Sequence, residues 1–209
     1  GDSFNDGCLG GCNVEGDPAT HYPIMWKFLC DELKIKSVVD IGCGFGYSLD
    51  FFKKHLKLHG VGVEGSPKVQ ELALNRDAIK VHDYSKGPLT FPKNYDLAWS
   101  SEFVEHVSPQ YVENFISTFK CCKYIAITYA SVGQTGHHHV NENTENYWIN
   151  LMMTHGLIFD RDLTVQLRSK TEEDFSRPTS PVDQSKVIGW TYPYHFSQKG
   201  LFFRNDLLL

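Results

Sequence analysis

No apolar run in the 209 residues approaches the roughly 18 that would cross a bilayer, and no basic-then-apolar leader opens the chain. The reading therefore expects no membrane insertion and a cytoplasmic setting. There is no excess of basic residues: Lys and Arg number 20 against 25 Asp and Glu, for a net charge of −5. That argues against a dedicated nucleic-acid binder, which carries a basic footprint. The six cysteines, at 8, 12, 30, 43, 121 and 122, include no CxxC pair. They read as reduced thiols, with Cys8 and Cys12 in a Gly-rich arm. No internal repeat appears. The chain opens "GDSFNDG" without a methionine, and the expectation is a domain cut from a longer protein.

What is present is alternation. "KSVVDIG", "GVGVEGS", "AIKVHDY", "YDLAWSS" and "CKYIAITYA" read as strands. Between them lie helical patterns: "PIMWKFLCDEL", "YSLDFFKKHLKL", "PKVQELALNR" opening with proline, and "SPQYVENFISTFK" with Ser108 as cap. "TENYWINLMMTHG" follows, closed by Gly156; "LTVQLRS" and "GLFFRN" read as closing strands, and 171–190 as a long loop. The predicted class is α/β, a mostly parallel sheet with helices on both faces. One domain over 1–209 is expected: an arm or lid over 1–22, a core over 36–130, and substrate-side elements over 131–209.

Two sites stand out. "VVDIGCGFGYS" puts Gly42, Gly44 and Gly46 at a strand-to-helix turn, where glycines let a ligand approach the backbone. Glu64 ends the next strand about twenty residues on, and Asp83 ends the third. Acids there can take ribose hydroxyls and an adenine amino group. The spacing is GxGxG, not the GxGxxG of dinucleotide enzymes, which weakens an oxidoreductase reading. The second site is "SSEFVEHV". If a helical turn starts at Glu102, then Glu102, Glu105 and His106 share one face. Two carboxylates and an imidazole suit Mg²⁺ or Mn²⁺. The run His137, His138, His139 follows the fifth strand and offers a further ligand and a base. Metal plus histidine favours a vicinal diol or a catechol, because a cation stabilises an alkoxide. Tyr147, Trp148, Trp190, Tyr192 and Tyr194 offer faces on which sugar C–H groups can stack.

In order, "VVDIGCGFG", "VGVEGS", "HDYS" and "YDLAWSSEFVEHV" resemble the motifs of class I S-adenosyl-L-methionine-dependent methyltransferases, and "GLFFRN" resembles their last strand. This implies an α/β, Rossmann-like, mostly parallel seven-stranded sheet with an antiparallel last strand and helices on both faces. The resemblance implies that Asp40, Gly42, Gly44 and Gly46 cradle the methionine end of the cofactor. It gives Glu64 the ribose, Asp83 the adenine side, and Ser100 or Ser101 the loop beside the sulfonium. ExxEH with a distant histidine is similar to the metal site of plant small-RNA 3′-end 2′-O-methyltransferases, and ExxEH alone to ubiquinone-pathway O-methyltransferases. This implies metal ligands Glu102, Glu105, His106 and a downstream histidine, with His138 favoured over His139, and catalytic roles among His106, His138 and His139. "GDPATHYPIMWKFL" and "GHHHVNENTENYWINLM" resemble sugar O-methyltransferases of polysaccharide biosynthesis, including domains of chlorovirus multidomain glycan-synthesis proteins. The implied acceptor is a hydroxyl of a terminal rhamnose or other deoxysugar, and the implied neighbours are covalently linked glycosyltransferase domains. An RNA ribose 2′-O-methyltransferase, a catechol-type enzyme and a non-catalytic cofactor-binding module remain alternatives.

Overall fold

The computed structural model of the chain describes residues 16–134, 136–176 and 195–209. Seven strands form one sheet: β1 (Ser37–Ile41), β2 (His59–Glu64), β3 (Ile79–Val81), β4 (Tyr95–Ser100), β5 (Cys122–Ile127), β6 (Ile158–Phe159) and β7 (Leu201–Arg204). Their order is β3-β2-β1-β4-β5-β7-β6. Strands β1 to β5 pair in parallel, and β7 runs antiparallel to both β5 and β6. This is the mostly parallel sheet that the alternation predicts and the Rossmann-like methyltransferase fold that the motif resemblance implies.

Strand periodicity sends successive side chains to opposite faces, and two cores result. Val39, Ile41, Ala98, Ile125, Ile127, Leu201 and Phe203 pack on one face with α4 (Val112–Phe119) and α5 (Glu145–Thr154). Val38, Leu97, Trp99, Ala126 and Phe202 pack on the other with α1 (Pro23–Leu33), α2 (Tyr47–Lys54), α6 (Arg161–Ser176) and α7 (His195–Lys199). The four described cysteines are free thiols; Cys8 and Cys12 lie outside the described residues. No helix among the described residues is long and apolar enough to cross a membrane.

Several expectations fail for identifiable reasons. "LTVQLRS" is not a strand but part of α6, which also takes residues 171–176 of the expected loop. Its buried positions, Leu163, Leu167, Thr171 and Asp174, recur at helical spacing, while the β-branched Thr164 and Val165 mimic a strand. The rest of that loop, 177–190, lies outside the described residues. "PKVQELALNR" yields only α3 (Val69–Leu72), because the backbone turns extended at Ala73 (ψ 149°), and left-handed Asn75 (φ 54°) then opens a 3-10 turn over Arg76–Ala78. Ser108 makes no capping bond, since a 3-10 turn over Pro109–Tyr111 precedes α4. Thr144, by contrast, caps α5 by accepting from Tyr147 N–H at 3.2 Å.

Helix α1 is capped from a distance. Tyr22 at its N-cap makes no side-chain capping bond, and Asp174 of α6 accepts from Ile24 N–H at 2.8 Å and Met25 N–H at 3.1 Å. Those are donors that a helix cannot satisfy internally. Asp174→Ala is expected to cost about 1–2 kcal/mol, read as a fall of several degrees in thermal midpoint. An unchanged midpoint would deny the cap its role.

Candidate active site

The carboxyl ends of β1, β2 and β4 open on one cavity of about 400 Å³. After β1 the chain turns through Gly42 (φ 72°), Gly44 (φ 50°) and Gly46 (φ 81°). A Cβ at Gly42 would stand 2.6 Å from the Phe103 ring, and one at Gly46 2.8 Å from the Leu74 carbonyl oxygen. Glycine is therefore required twice over, by backbone angle and by space. The turn is tied to β2: Glu64 accepts from Gly44 N–H at 2.9 Å and Ser66 N–H at 3.0 Å. Burial raises the Glu64 carboxyl pKa, and these amides oppose the shift.

Asp40 is buried, and its Oδ2 has no hydrogen-bonding partner. Burial, with a smaller push from Glu64, raises its carboxyl to about 8. It lines the cavity, so a cationic group placed there would meet an acceptor otherwise left bare. Asp83 accepts from Ser85 N–H at 2.8 Å and lines the same cavity. Ser101 lines it too. Ser100 does not: it is buried and donates to the Ile41 carbonyl at 3.0 Å, a structural bond between β4 and β1.

The cavity continues past Phe103 to His106, Tyr111, His137 and His139. Here Glu105, His106 and His139 form a cluster whose ligand-capable atoms all lie within 4.8 Å of one another. Glu105 and His106 come from a 3-10 turn, Val104–His106, and His139 from the loop after β5. The loop is fastened to the turn by Val140 N–H and Asn141 N–H, which donate to the Glu105 carbonyl at 2.9 and 3.0 Å.

The donor set fits a divalent ion. His106 Nδ1 faces the His138 carbonyl at 3.2 Å, and His139 Nδ1 faces the Gln134 carbonyl at 2.9 Å and Glu142 Oε1 at 3.3 Å. Those partners only accept, so each Nδ1 carries the proton and each Nε2 keeps its lone pair. This is the outer-shell arrangement of metal-binding histidines. Burial, and then the neighbouring His139, lower the His106 pKa to about 4, so its ring is neutral near pH 7. Glu105 is wholly buried, and neither carboxylate oxygen has a well-formed hydrogen bond. Burial first, then Glu102, raise its pKa well above the usual range. A carboxylate kept there needs a cation beside it.

Two expected ligands fall outside the cluster. His138 (φ 60°) contributes its carbonyl, not its ring, and does not line the cavity. Glu102 sits at φ 52°, so no helical turn starts there and the shared face with Glu105 is lost. Thr128 and His195 engage its carboxylate instead. Trp148 is a fully buried core residue and Tyr147 packs against that core; Trp190, Tyr192 and Tyr194 lie outside the described residues. The sequence reading missed Asp17 and Thr20, which wall the cavity, along with Trp99 and Tyr111. Only Asp17 left a trace, in the turn-forming pair Asp-Pro.

A family model described as a methyltransferase domain matches residues 27–169, well over half of the chain. The chain belongs to this methyltransferase family. S-adenosyl-L-methionine is its methyl donor, and the methyltransferase fold is shared with solved structures. The methyltransferase domain of bacterial CtHen1 is 18% identical (TM-score 0.51), over 65% of this chain and 84% of that one. The sugar N-methyltransferase KedS8 from a Streptoalloteichus species is 12% identical (TM-score 0.56), over 69% of this chain and 81% of that one. The O-methyltransferase of a trans-AT PKS multienzyme of Brevibacillus brevis, solved with S-adenosyl-L-homocysteine, is 17% identical (TM-score 0.54), over 90% and 72%. At such identities these likenesses concern the fold alone. No curated protein matches the sequence.

Proposed function

We propose that this methyltransferase is a metal-assisted O-methyltransferase acting on a sugar hydroxyl, a terminal rhamnose or other deoxysugar of a glycan. One observation carries the reading: of the cluster Glu105, His106 and His139, both imidazoles line the same cavity as Asp40, Gly42, Gly44, Glu64 and Asp83, while Glu105 is wholly buried beside them. In this reading Asp40 and the turn at Gly42, Gly44 and Gly46 hold the methionine end, with the bare Asp40 oxygen meeting the ammonium. Glu64, with lone pairs left beyond its bonds to backbone amides, takes the ribose hydroxyls. Asp83 lies on the adenine side and Ser101 beside the sulfonium.

A sulfonium methyl is already activated, so the protein must align the acceptor and remove its proton. Glu105, His106 and His139 would hold Mg²⁺ or Mn²⁺, whose chemistry there is stabilisation of a developing alkoxide. An amine, a good nucleophile when neutral, has less need of that help, which favours a hydroxyl. The sugar itself is carried over from the sequence resemblance.

The test is methyl transfer from labelled S-adenosyl-L-methionine to rhamnosyl oligosaccharides, catechol and a 3′-terminal RNA oligonucleotide, with and without EDTA. Transfer to the rhamnosides, abolished by EDTA and restored by Mg²⁺ or Mn²⁺, is expected. Transfer to RNA or catechol alone would overturn the sugar assignment, and EDTA-indifferent transfer would overturn the metal.

A further inference from the structure

With His106 and His139 committed as ligands, neither ring is left to accept the acceptor's proton. Glu102 has the features that role requires. Its backbone is held at φ 52°, a conformation that costs a non-glycine residue and persists only when its surroundings enforce it. Thr128 enforces it from β5's end: its Oγ1 accepts from Glu102 N–H at 2.8 Å and donates to Glu102 Oε1 at 3.0 Å. His195, the first residue of α7, places Nδ1 3.3 Å from the same oxygen. Both contacts fall on Oε1, so they leave Oε2 uncommitted. The Glu102 side chain is one-fifth exposed (21%) and lines the cavity between Ser101 and the metal cluster.

We propose that Glu102 is the catalytic base of the methyl transfer and that His195 is its positioning residue, a Glu–His pair distinct from the metal cluster. This rests on the reading that the acceptor is a hydroxyl. In the step, a lone pair of the acceptor oxygen forms the O–CH₃ bond. The S–CH₃ bond breaks with its electron pair left on sulfur, and the hydroxyl proton passes to Glu102 Oε2. Charge balances: sulfonium and carboxylate become sulfide and carboxylic acid. Thr128 and His195 hold the carboxylate by its other oxygen and fix its direction.

The pair and the cluster separate experimentally, because a ligand and a base respond differently to amide substitution. Mn²⁺ binding, followed by electron paramagnetic resonance, needs no acceptor. Glu102→Gln should keep Mn²⁺ affinity within about twofold, whereas Glu105→Gln should lose about 10–100-fold. On whichever acceptor of the panel turns over, Glu102→Gln should lower kcat by about 10²–10⁴-fold with little change in KM. His195→Ala should lower kcat by about 10–100-fold, and His195→Asn, whose amide N–H stands near the place of Nδ1, should restore most of it. Loss of Mn²⁺ by Glu102→Gln would make Glu102 a ligand and overturn the proposal. So would wild-type kcat in Glu102→Gln, or equal kcat in His195→Ala and His195→Asn. Failure of the sugar reading alone shows as a different acceptor with the same pattern among the variants.

Discussion

His139→Ala is expected to lower methyl transfer by about 100-fold or more while leaving S-adenosyl-L-methionine binding within a few-fold of wild type. Even outer-shell partners of metal ligands are worth about 10–100-fold, and His139 is placed as a ligand itself. The proposed cofactor contacts lie at the ends of β1 and β2, whereas His139 enters from the loop beyond β5. A second readout needs no turnover. Mn²⁺ should raise the thermal midpoint of the wild-type protein, since binding to the folded state alone stabilises it. That rise should vanish in His139→Ala. It should survive in His138→Ala, because the carbonyl that His138 contributes is backbone. Equal loss in both variants would return the favoured ligand to His138.

Asp40→Asn should act in opposite directions on the free and the cofactor-bound protein. Burial raises the Asp40 carboxyl from 3.8 to about 8. Below pH ~4 the group is protonated whether the chain is folded or not, and it contributes nothing to pH dependence. Between that pH and about 8 the unfolded chain releases its proton freely while the folded one resists. Stability therefore falls as pH rises through this window. Asparagine never ionises, so Asp40→Asn should raise the thermal midpoint of the free protein, more at pH 8 than at pH 5. The bound protein loses the acceptor proposed for the ammonium. Truncating one partner of a buried charged pair costs about 2 kcal/mol or more, roughly a 30-fold or greater loss of affinity. Calorimetric titration with S-adenosyl-L-methionine and melts at the two pH values check both. Destabilisation in both states would make Asp40 a structural residue.

Local chemistry was legible in the sequence wherever the backbone alone dictates it. The glycines of "DIGCGFG" follow from a turn with three left-handed residues, and Glu64 and Asp83 from their places at strand ends. Side-chain convergence was not legible where a single dihedral decides it. At Glu102, one residue at positive φ turns an i, i+3 pair away from a common face, and no residue type announces that. The choice of His139 over His138 likewise rests on a turn that hands one carbonyl to His106 and one ring to Gln134 and Glu142. His195 lies 93 positions after Glu102 and reaches it only because β7 returns antiparallel beside β5, carrying α7 with it. Trp148 shows the reverse error: an aromatic offered as a sugar platform is needed by the core.

The Asp174 cap on α1 has a bearing on synthesis. The acid lies 150 residues after the amide of Ile24 that it receives. A ribosome releases α1 and the whole stretch from Asp40 to Asp83 long before it releases α6. Until then water alone can accept from the first amides of α1 that Asp174 later receives. The preceding Asp17 and Thr20, which wall the cavity, hang from that unfinished end. A nascent chain arrested ahead of Asp174 thus holds the full glycine turn, Glu64 and Asp83, yet lacks a fixed wall to close them. Given the cofactor contacts proposed above, competence to bind the methyl donor is expected to arrive late in translation, set by an aspartate outside the cavity.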